Sequence, residues 1–195
     1  MACTALSRAR VLDCSRTAGG IKYVYFSVFS NFAREDWAVD STNAMEIDTI
    51  DFQTSNIYRY AFPVGSASFT DTITASDENG TISYTPTLNL VLSRINKEDQ
   101  NEIKLLCQSR VRVFIQLQEE LSTGTNVILA AGMINGMSVT TGSIDSGQAL
   151  GDKNGYTLTL TGQEPTPSYL LEDYTLSTGP FSNTGFENET LVISN

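Results

Sequence analysis

The chain has 195 residues, of which 41% are apolar, and a formal net charge of −10. No run of about 18 apolar residues occurs, so we expect no membrane-spanning helix, and an acidic body predicts repulsion of nucleic acid. The chain contains no histidine. This excludes Ser-His-Asp and Cys-His catalysis and His-ligated zinc.

Residues 1–20 read as an N-terminal arm that ends in a flexible Gly-Gly pair. Arg8, Arg10 and Arg16 make this arm basic, whereas the rest of the chain is acidic. Two interpretations stay open. The arm docks onto a neighbouring copy, or it is a terminal tail whose charges are solvated.

The segment Ile21–Phe29 is dense in aromatic and β-branched residues and predicts a core strand. Residues 30–44 then show no clear period, and we interpret them as a long loop. Because the loop contains the large apolar residues Phe32, Trp37 and Val39, it is expected to pack against another surface. That partner is either a neighbouring copy or the protein's own core.

Short strands are predicted next at 45–50, 57–62 and 66–75. The last of these alternates apolar and threonine residues, with Asp71 on its apolar side. Asn79-Gly80 follows, and this pair favours a type I′ hairpin turn into the next strand, which starts at Thr81.

Between residues 81 and 118 the pattern predicts strand, helix, strand. The first part alternates with a period of two, from Ile82 to Leu92. The period then changes to that of a helix at about 96–109, for which Asn96 is a good N-cap. After Arg110 the alternation returns, with valine and isoleucine opposite Arg112 and Gln116.

The remaining chain predicts further strands at 127–134, 137–140 and 156–161. Asn135-Gly136 is read as a second hairpin turn, and prolines stop the last strand at 165–167. Residues 168–195 contain Phe181 and Phe186 among Gly, Ser and Asn. They are interpreted either as a C-terminal arm that swaps onto a neighbour or as an edge strand on their own sheet.

The pattern as a whole predicts an all-β fold with one short helix. About eight to ten short antiparallel strands are typical of a β-sandwich or barrel. Residues 21–167 would form this domain, between the two terminal segments.

The chain shows no nucleotide, zinc, calcium or α/β-hydrolase motif, so no cofactor, metal or catalytic residue is predicted. Its carboxylate pairs fall at expected turns and strand ends, where solvated charges are the ordinary state. Asp71 has apolar neighbours and reads as a hydrogen-bonded structural acid, or as an acid that faces a subunit boundary or channel. Arg94, Arg110 and Arg112 flank the helix and could pair with acids of an adjacent copy.

The threonine-rich strand faces have two interpretations: the solvent face of a sandwich, or the wall of a pore. With this organisation, the chain resembles the tail tube (major tail) proteins of long-tailed bacteriophages. The likeness is carried by the central helix, the long early loop, the two arms and the acidic body, and by residues 80–106 and 151–167, which are similar in style to such proteins.

The resemblance implies a structural virion protein rather than an enzyme. Its sheets would join those of its siblings into a ring, usually of six subunits, and the rings would stack into a tube. DNA would pass through the lumen without specific binding, and no membrane would be involved. The implied partners are further copies of the chain and other tail proteins (terminator, tape measure and distal tail proteins), with assembly in the host bacterial cytoplasm.

The resemblance also suggests contacts. Phe32, Trp37 and Val39 are predicted to contact the next ring. A further set is predicted in the two arms: Arg8, Arg10, Arg16, Phe181 and Phe186.

Three alternatives remain. The first is a related tail part, such as a terminator, a ring protein of a short tail or the inner tube of a contractile injection system. The second is a carbohydrate-binding or adhesin-like β-sandwich, and the third is an enzyme with a site built from carboxylates alone.

Overall fold

The computed structural model describes residues 10, 18–120, 124–171, 180–181 and 185–193. This part of the chain contains one α-helix, α1 (Lys97–Gln108), a 3₁₀ turn at Phe29–Asn31, and thirteen strands. The strands are β1 (Ile21–Val28), β2 (Trp37–Val39), β3 (Glu46–Asp51), β4 (Asn56–Ala61), β5 (Ala67–Ser76), β6 (Thr81–Ser93), β7 (Val111–Glu120), β8 (Asn126–Ala131), β9 (Met137–Asp145), β10 (Gly155–Gly162), β11 (Tyr169–Leu171), β12 (Phe186–Glu187) and β13 (Thr190–Val192). The predicted all-β fold with one short helix is confirmed.

The helix forms where the change of period predicts it. The Asn96 side chain accepts a hydrogen bond of 2.6 Å from the backbone N–H of Asp99, which caps the first turn. Ile103 and Leu106 are buried, while the opposite face of the helix is exposed. A single amphipathic helix therefore packs on an otherwise β-sheet domain.

The hairpin between β5 and β6 is also confirmed, but its turn is not of type I′. Ser76 pairs with Thr81, so the connection has four residues, and of Asn79 and Gly80 only the glycine has a positive φ (62°). Four-residue connections are commonly built around a type I turn, whereas type I′ needs positive φ at both central residues. The Asn-Gly pair thus specified the hairpin but not the turn type.

The strands form two connected layers. The first layer, which we call the open sheet, has the order β5-β6-β10-β9, and every neighbouring pair in it is antiparallel. The second layer, the central sheet, has the order β4-β1-β7-β8-β11-β3, with β2 and β12 on β3 and β13 on β4. The only pair of residues that bridges β7 and β9 is Val111 and Met137. The combined sheet is mixed and does not close into a barrel.

The central sheet separates two hydrophobic cores. Core one lies between it, the open sheet and α1, and includes Val24, Val113 and Leu88. Core two lies on its other face and includes Tyr25, Phe114 and Trp37. Adjacent residues of one strand point to opposite faces, so β1 and β7 bury side chains on both sides.

This two-sided burial corrects the sequence interpretation of β7. The alternation places Arg112 and Gln116 opposite the apolar residues of β7, yet they are only 2% and 6% exposed. Gln116 instead joins a buried network, in which it accepts from the Tyr25 hydroxyl (2.8 Å) and donates to Asn126 (3.1 Å). The second core covers the polar side of the alternation, where Tyr25, Gln116 and Asn126 satisfy one another.

The predicted second hairpin at Asn135-Gly136 is wrong, because β8 and β9 do not pair with each other. Ala131 pairs with Val113, and Met137 pairs with Val111, so both strands follow the same edge of β7. Residues 132–136 form the bend through which the chain leaves the central sheet for the open sheet. Strands that change sheets commonly do so at such an interruption of the ladder.

Candidate assembly surface

The open sheet ends in two strands that lack a neighbour on one side. Among the described strands, β5 pairs with β6 alone, over ten residues. β9 pairs with β10 along its length and meets β7 only at Met137. Each free edge presents a row of backbone N–H and C=O groups, which is a template for pairing with another chain.

The two free edges suit each other in direction. The open sheet has four strands, and all its neighbours are antiparallel, so β5 and β9 run in opposite directions. If β5 of one copy is placed beside β9 of the next, the new pair is again antiparallel. The sheet can therefore continue from copy to copy without a change in its pattern.

One face of the open sheet is covered with short polar side chains. Directly opposed residues in neighbouring strands share a face, and the pairing places these residues together: Ser68, Thr70, Thr72 and Thr74 on β5; Ser83, Thr85, Thr87 and Asn89 on β6; Thr157, Thr159 and Thr161 on β10; Ser138, Thr141 and Ser143 on β9. We call this surface the hydroxyl face. The Thr159 hydroxyl on β10 donates a hydrogen bond of 2.9 Å to the side-chain oxygen of Asn89 on the neighbouring strand β6, so part of the face is held by its own hydrogen bonds.

The hydroxyl face is almost free of charge. The four strands contain two charged residues, Asp71 and Asp145, and neither lysine nor arginine. Asp71 lies opposite Pro86 on the other face, which leaves Asp145 at the end of β9. The hydroxyl of Ser143 and the ammonium of Lys153 hold the pKa of the Asp145 carboxyl below its usual value.

The other face of the open sheet packs on core one only over part of its length. Leu88, Leu90, Leu158 and Leu160 are buried. Beyond them the β5–β6 hairpin projects from the body, so that Ile73 and Ile82 are 66% and 60% exposed. This projecting apolar surface has no cover among the described residues.

Two buried charged groups fix the bend from which the open sheet starts. The Arg112 guanidinium donates to the backbone carbonyls of Met133 (3.1 Å), Phe29 (2.9 Å) and Phe32, and it lies 4.2 Å from the centres of the Phe29 and Phe32 rings. Burial lowers the pKa of Arg112 to about 10, and the carboxylates of Glu164 and Asp36 partly oppose this. The expected pairing of Arg112 with acids of another copy is therefore wrong.

Glu164 holds the same bend from the side of β10. Its carboxylate accepts from the backbone N–H groups of Asn135 (2.9 Å), Gly136 (3.2 Å) and Ile134 (3.3 Å). Burial raises the pKa of Glu164, while these three donors and the charge of Arg112 act in the opposite direction. Together, Arg112 and Glu164 set where the open sheet leaves the central sheet.

The residues predicted to contact a neighbouring ring lie inside the protein. Phe32 and Trp37 are each 2% exposed and belong to core two, and Val39 is half-buried against it. Trp37 lies in β2, which pairs with β3, so residues 30–44 are not one irregular loop. The prediction that these three side chains form a stacking surface is wrong for Phe32 and Trp37, because the segment folds back onto its own core.

The two phenylalanines that were predicted as arm contacts are also buried. Phe181 and Phe186 are 1% and 3% exposed and belong to core two, where β12 and β13 pair with strands of the same chain. They are thus core residues rather than contacts of a free arm. Arg10 is exposed, whereas Arg8 and Arg16 lie outside the described residues.

Asp71 is a hydrogen-bonded structural acid, one of the two roles the sequence allowed. One of its carboxylate oxygens accepts from the backbone N–H (2.8 Å) and the hydroxyl (2.9 Å) of Ser168. This contact ties β5 to the segment that leads into β11.

A cleft of about 700 Å³ lies between α1, β4 and the end of β6. Tyr58 and Tyr60 line one wall, and Glu98, Asp99 and Glu102 line the other. Burial raises the pKa of Tyr60 to about 12, and the nearby Glu102 and Asp99 add to this. Within the described ranges, no group of three or more His, Cys, Asp or Glu side chains is arranged to hold a metal ion.

The described part of the chain contains no helix that is both long and apolar enough to cross a membrane. In the comparisons with known proteins, no family model, no curated protein and no solved structure matches the chain. The case for function therefore depends on the surfaces described above.

Proposed function

We propose that this protein is a structural virion component, a tail tube subunit that assembles into stacked rings and forms a conduit for DNA ejection. The observation that carries the proposal is the open sheet, with free edges on both sides and a hydroxyl face that holds no basic residue. The resemblance noted in the sequence agrees with it. The protein would act in the phage tail, after assembly in the host bacterial cytoplasm, and not as an enzyme.

The free edges supply the lateral contact. A long, flat edge strand promotes aggregation unless it is paired or protected, and a closed ring removes every such edge. Six copies would supply about 24 strands, which at ~4.8 Å spacing and ~40° tilt close a ring about 50 Å across at the backbone. A ring of this width has room for a DNA duplex.

The hydroxyl face supplies the wall of the conduit. Nucleic-acid affinity comes chiefly from Lys and Arg that neutralise phosphates, and the four strands have none. The wall would be largely neutral rather than acidic, and its uncharged hydroxyl groups give the phosphates no fixed charge to bind. DNA would therefore pass without being retained.

The partners follow from the same arrangement. Further copies of the chain would complete each ring and extend the tube, and terminator, tape measure and distal tail proteins would meet its ends and its lumen. Neither edge nor face requires a cofactor or a metal.

The proposal is tested with the full-length protein over a concentration series. Light scattering measures the size of the assemblies, and negative-stain electron microscopy shows their shape. Rings and tubes are the expected result. A protein that stays monomeric at high concentration would overturn the proposal, and single rings that never extend would favour the related tail parts over a tube.

Proline variants locate the lateral contact. Backbone N–H groups along an edge strand point alternately toward the partner strand and away from it, so only one of Thr72 and Ile73 points away from β6. Tyr84, the partner of Ile73, exchanges both of its backbone hydrogen bonds with Glu164, so the N–H of Ile73 points away from β6 and that of Thr72 points toward it. In Ile73→Pro we therefore expect an unfolding midpoint like that of the wild type but no rings, whereas Thr72→Pro loses a hydrogen bond to β6 and should be less stable. Ile73→Val keeps the backbone donor and should form rings normally. If Ile73→Pro folds and forms rings, β5 is not the lateral contact.

The cleft between α1 and β4 favours a second candidate, a carbohydrate-binding domain. Two tyrosines facing three carboxylates is an arrangement that can stack on and hydrogen-bond a sugar. This candidate predicts a monomer with measurable glycan affinity in calorimetry. Loss of that affinity in Tyr58→Ala, with assembly absent in the wild type, would favour it over the tube.

A further inference from the structure

The projecting tip of the β5–β6 hairpin has one apolar side and an acidic end. Ile73 pairs with Tyr84, and Ala75 pairs with Ile82, so these side chains share one face. Ile73 and Ile82 are mostly exposed, although the same face is buried further along the strands. We call residues 72–83 the hairpin tip.

The opposite end of the open sheet carries a second group of exposed aliphatic side chains. Val64 is 89% exposed, Ile144 is 57% exposed and Leu150 is fully exposed. Val64 belongs to the connection that enters β5, Ile144 lies near the end of β9, and Leu150 lies in the connection from β9 to β10. Because Gly155 pairs with both Ser93 and Asp145, these connections lie at the end of the sheet away from the hairpin tip. We call this region the sheet base.

Both ends carry acids, but only the base also carries cations. The tip carries Asp77 and Glu78, and no lysine or arginine occurs in the sequence from residue 60 to residue 93. The base holds three cations: Arg94, Lys97 and Lys153. It also holds four acids, Glu98, Asp99, Asp145 and Asp152.

Two of these cations are already engaged. Lys97 lies 3.4 Å from Glu98, and Lys153 lies 3.2 Å from Asp145. The side chain of Arg94 is exposed and makes no hydrogen bond or ion pair with any described residue, although its backbone N–H donates to Asn154 (2.7 Å). Arg94 is thus the cation of the base that has no acid beside it among the described residues, whereas the other two have exposed, weak pairs.

We propose that the hairpin tip of one copy docks onto the sheet base of a second copy. Ile73 and Ile82 would pack against the exposed aliphatic side chains of the base, and Asp77 and Glu78 would face Arg94. This inference rests on the proposed function and adds the contact by which one ring stacks on the next. It replaces the buried residues Phe32 and Trp37 as the stacking surface.

The geometry keeps this contact separate from the lateral one. Lateral pairing uses the edges of the open sheet, whereas the tip and the base are its two ends along the strand direction. The contact joins two different surfaces, so it is heterologous and repeats in one direction without closing. Rings held by the edges would therefore extend into a polar tube through the ends.

Charge reversal in the full-length protein tests the contact. Asp77→Lys combined with Glu78→Lys should leave rings intact but raise the protein concentration needed for tubes by about tenfold or more, and Arg94→Glu should do the same. When all three changes are combined, the opposite charges face each other again, and tubes should return toward the wild-type concentration. Glu35→Lys with Glu187→Lys alters exposed acids away from both ends and serves as the control.

A second variant tests the apolar part of the contact. Ile73→Ser with Ile82→Ser should also yield rings without tubes, with an unchanged unfolding midpoint because both side chains are exposed. Unchanged tube formation in the charge and serine variants, or no recovery in the combined charge variant, would overturn the contact while leaving the proposed function in place. A wild type that forms no rings would overturn both.

Discussion

The central sheet and the open sheet differ in how far one copy of the chain completes them. The central sheet buries side chains on both faces, and the short strands β12 and β13 pair with its strands β3 and β4. The open sheet has one partly buried face, one exposed hydroxyl face and, among the described strands, no partner on the outer sides of β5 and β9. One copy of the chain therefore completes the central sheet, whereas the proposed assembly would use the open sheet.

The two layers also use polar groups differently. Around the central sheet, Arg112, Gln116 and Glu164 are buried, and each makes several hydrogen bonds. On the open sheet, the polar side chains are short and mostly exposed, and all but Asp71 and Asp145 are uncharged. Buried charges can be kept only where the fold supplies partners, and such partners rigidify the junction between the layers.

The largest loss of stability is expected from a substitution in core two, at the C-terminal residue Phe181. The Phe181 ring lies 5.1 Å from those of Tyr25 and Phe114 and 5.5 Å from that of Phe52, all edge-on. Phe181→Ala should lower the free energy of unfolding by about 3–5 kcal/mol, because it leaves a cavity in a close-packed core. Denaturant titration measures this free energy. Ile82→Ala, on the open sheet, should change the free energy of unfolding by less than ~0.5 kcal/mol. Equal losses in the two variants would mean that the layers do not differ as described.

The next largest loss of stability is expected at the junction between the two layers. Arg112→Met keeps the aliphatic part of the side chain but leaves three buried carbonyls without their donor, so we expect a loss of about 3 kcal/mol in the free energy of unfolding. Arg110→Met is the matched control, since Arg110 is exposed and stacks on Phe29 at 5.3 Å. Its expected loss is below about 1 kcal/mol. A similar loss in both variants would show that Arg112 does not hold the junction.

The smallest effect is a pH dependence at Glu164. Because its pKa is raised in the folded protein, Glu164 binds more protons folded than unfolded, and its contribution to stability falls as the pH rises through that pKa. Unfolding of the wild type and Glu164→Gln should be compared from about pH 4 to about pH 8, since glutamine does not titrate there. The stability of the wild type relative to the variant is expected to decrease with pH. An increase would show that the three backbone donors and Arg112 outweigh burial.

Local signals in the sequence predicted local structure well. The change from a period of two to a helical period after Leu92, with Asn96 as N-cap, placed α1 within one residue at each end. The alternation of threonine with apolar residues predicted the hydroxyl face and the strands that carry it. These features depend on neighbouring residues of one strand or one turn, which the sequence displays directly.

Other features depended on which layers meet, and the sequence carries no direct signal for that. The same alternation gave the wrong environment for Arg112, because a second core covers the face of β7 on which it lies. Asn135-Gly136 has the composition of a hairpin turn, but Glu164, almost thirty residues later, holds it as the bend between two sheets. The burial of Arg112, Gln116 and Glu164 has no counterpart in the local pattern.

The sequence by itself therefore determined the all-β class, the single helix, the hairpin between β5 and β6 and the threonine-rich strand faces. Only the tertiary structure decided that Phe32, Trp37, Phe181 and Phe186 complete a core, and that the bare edges belong to β5 and β9. The physical reason is that periodicity specifies which side of an element is apolar. Which other element covers that side, or whether it remains open to another copy, is decided by contacts between residues far apart in the chain.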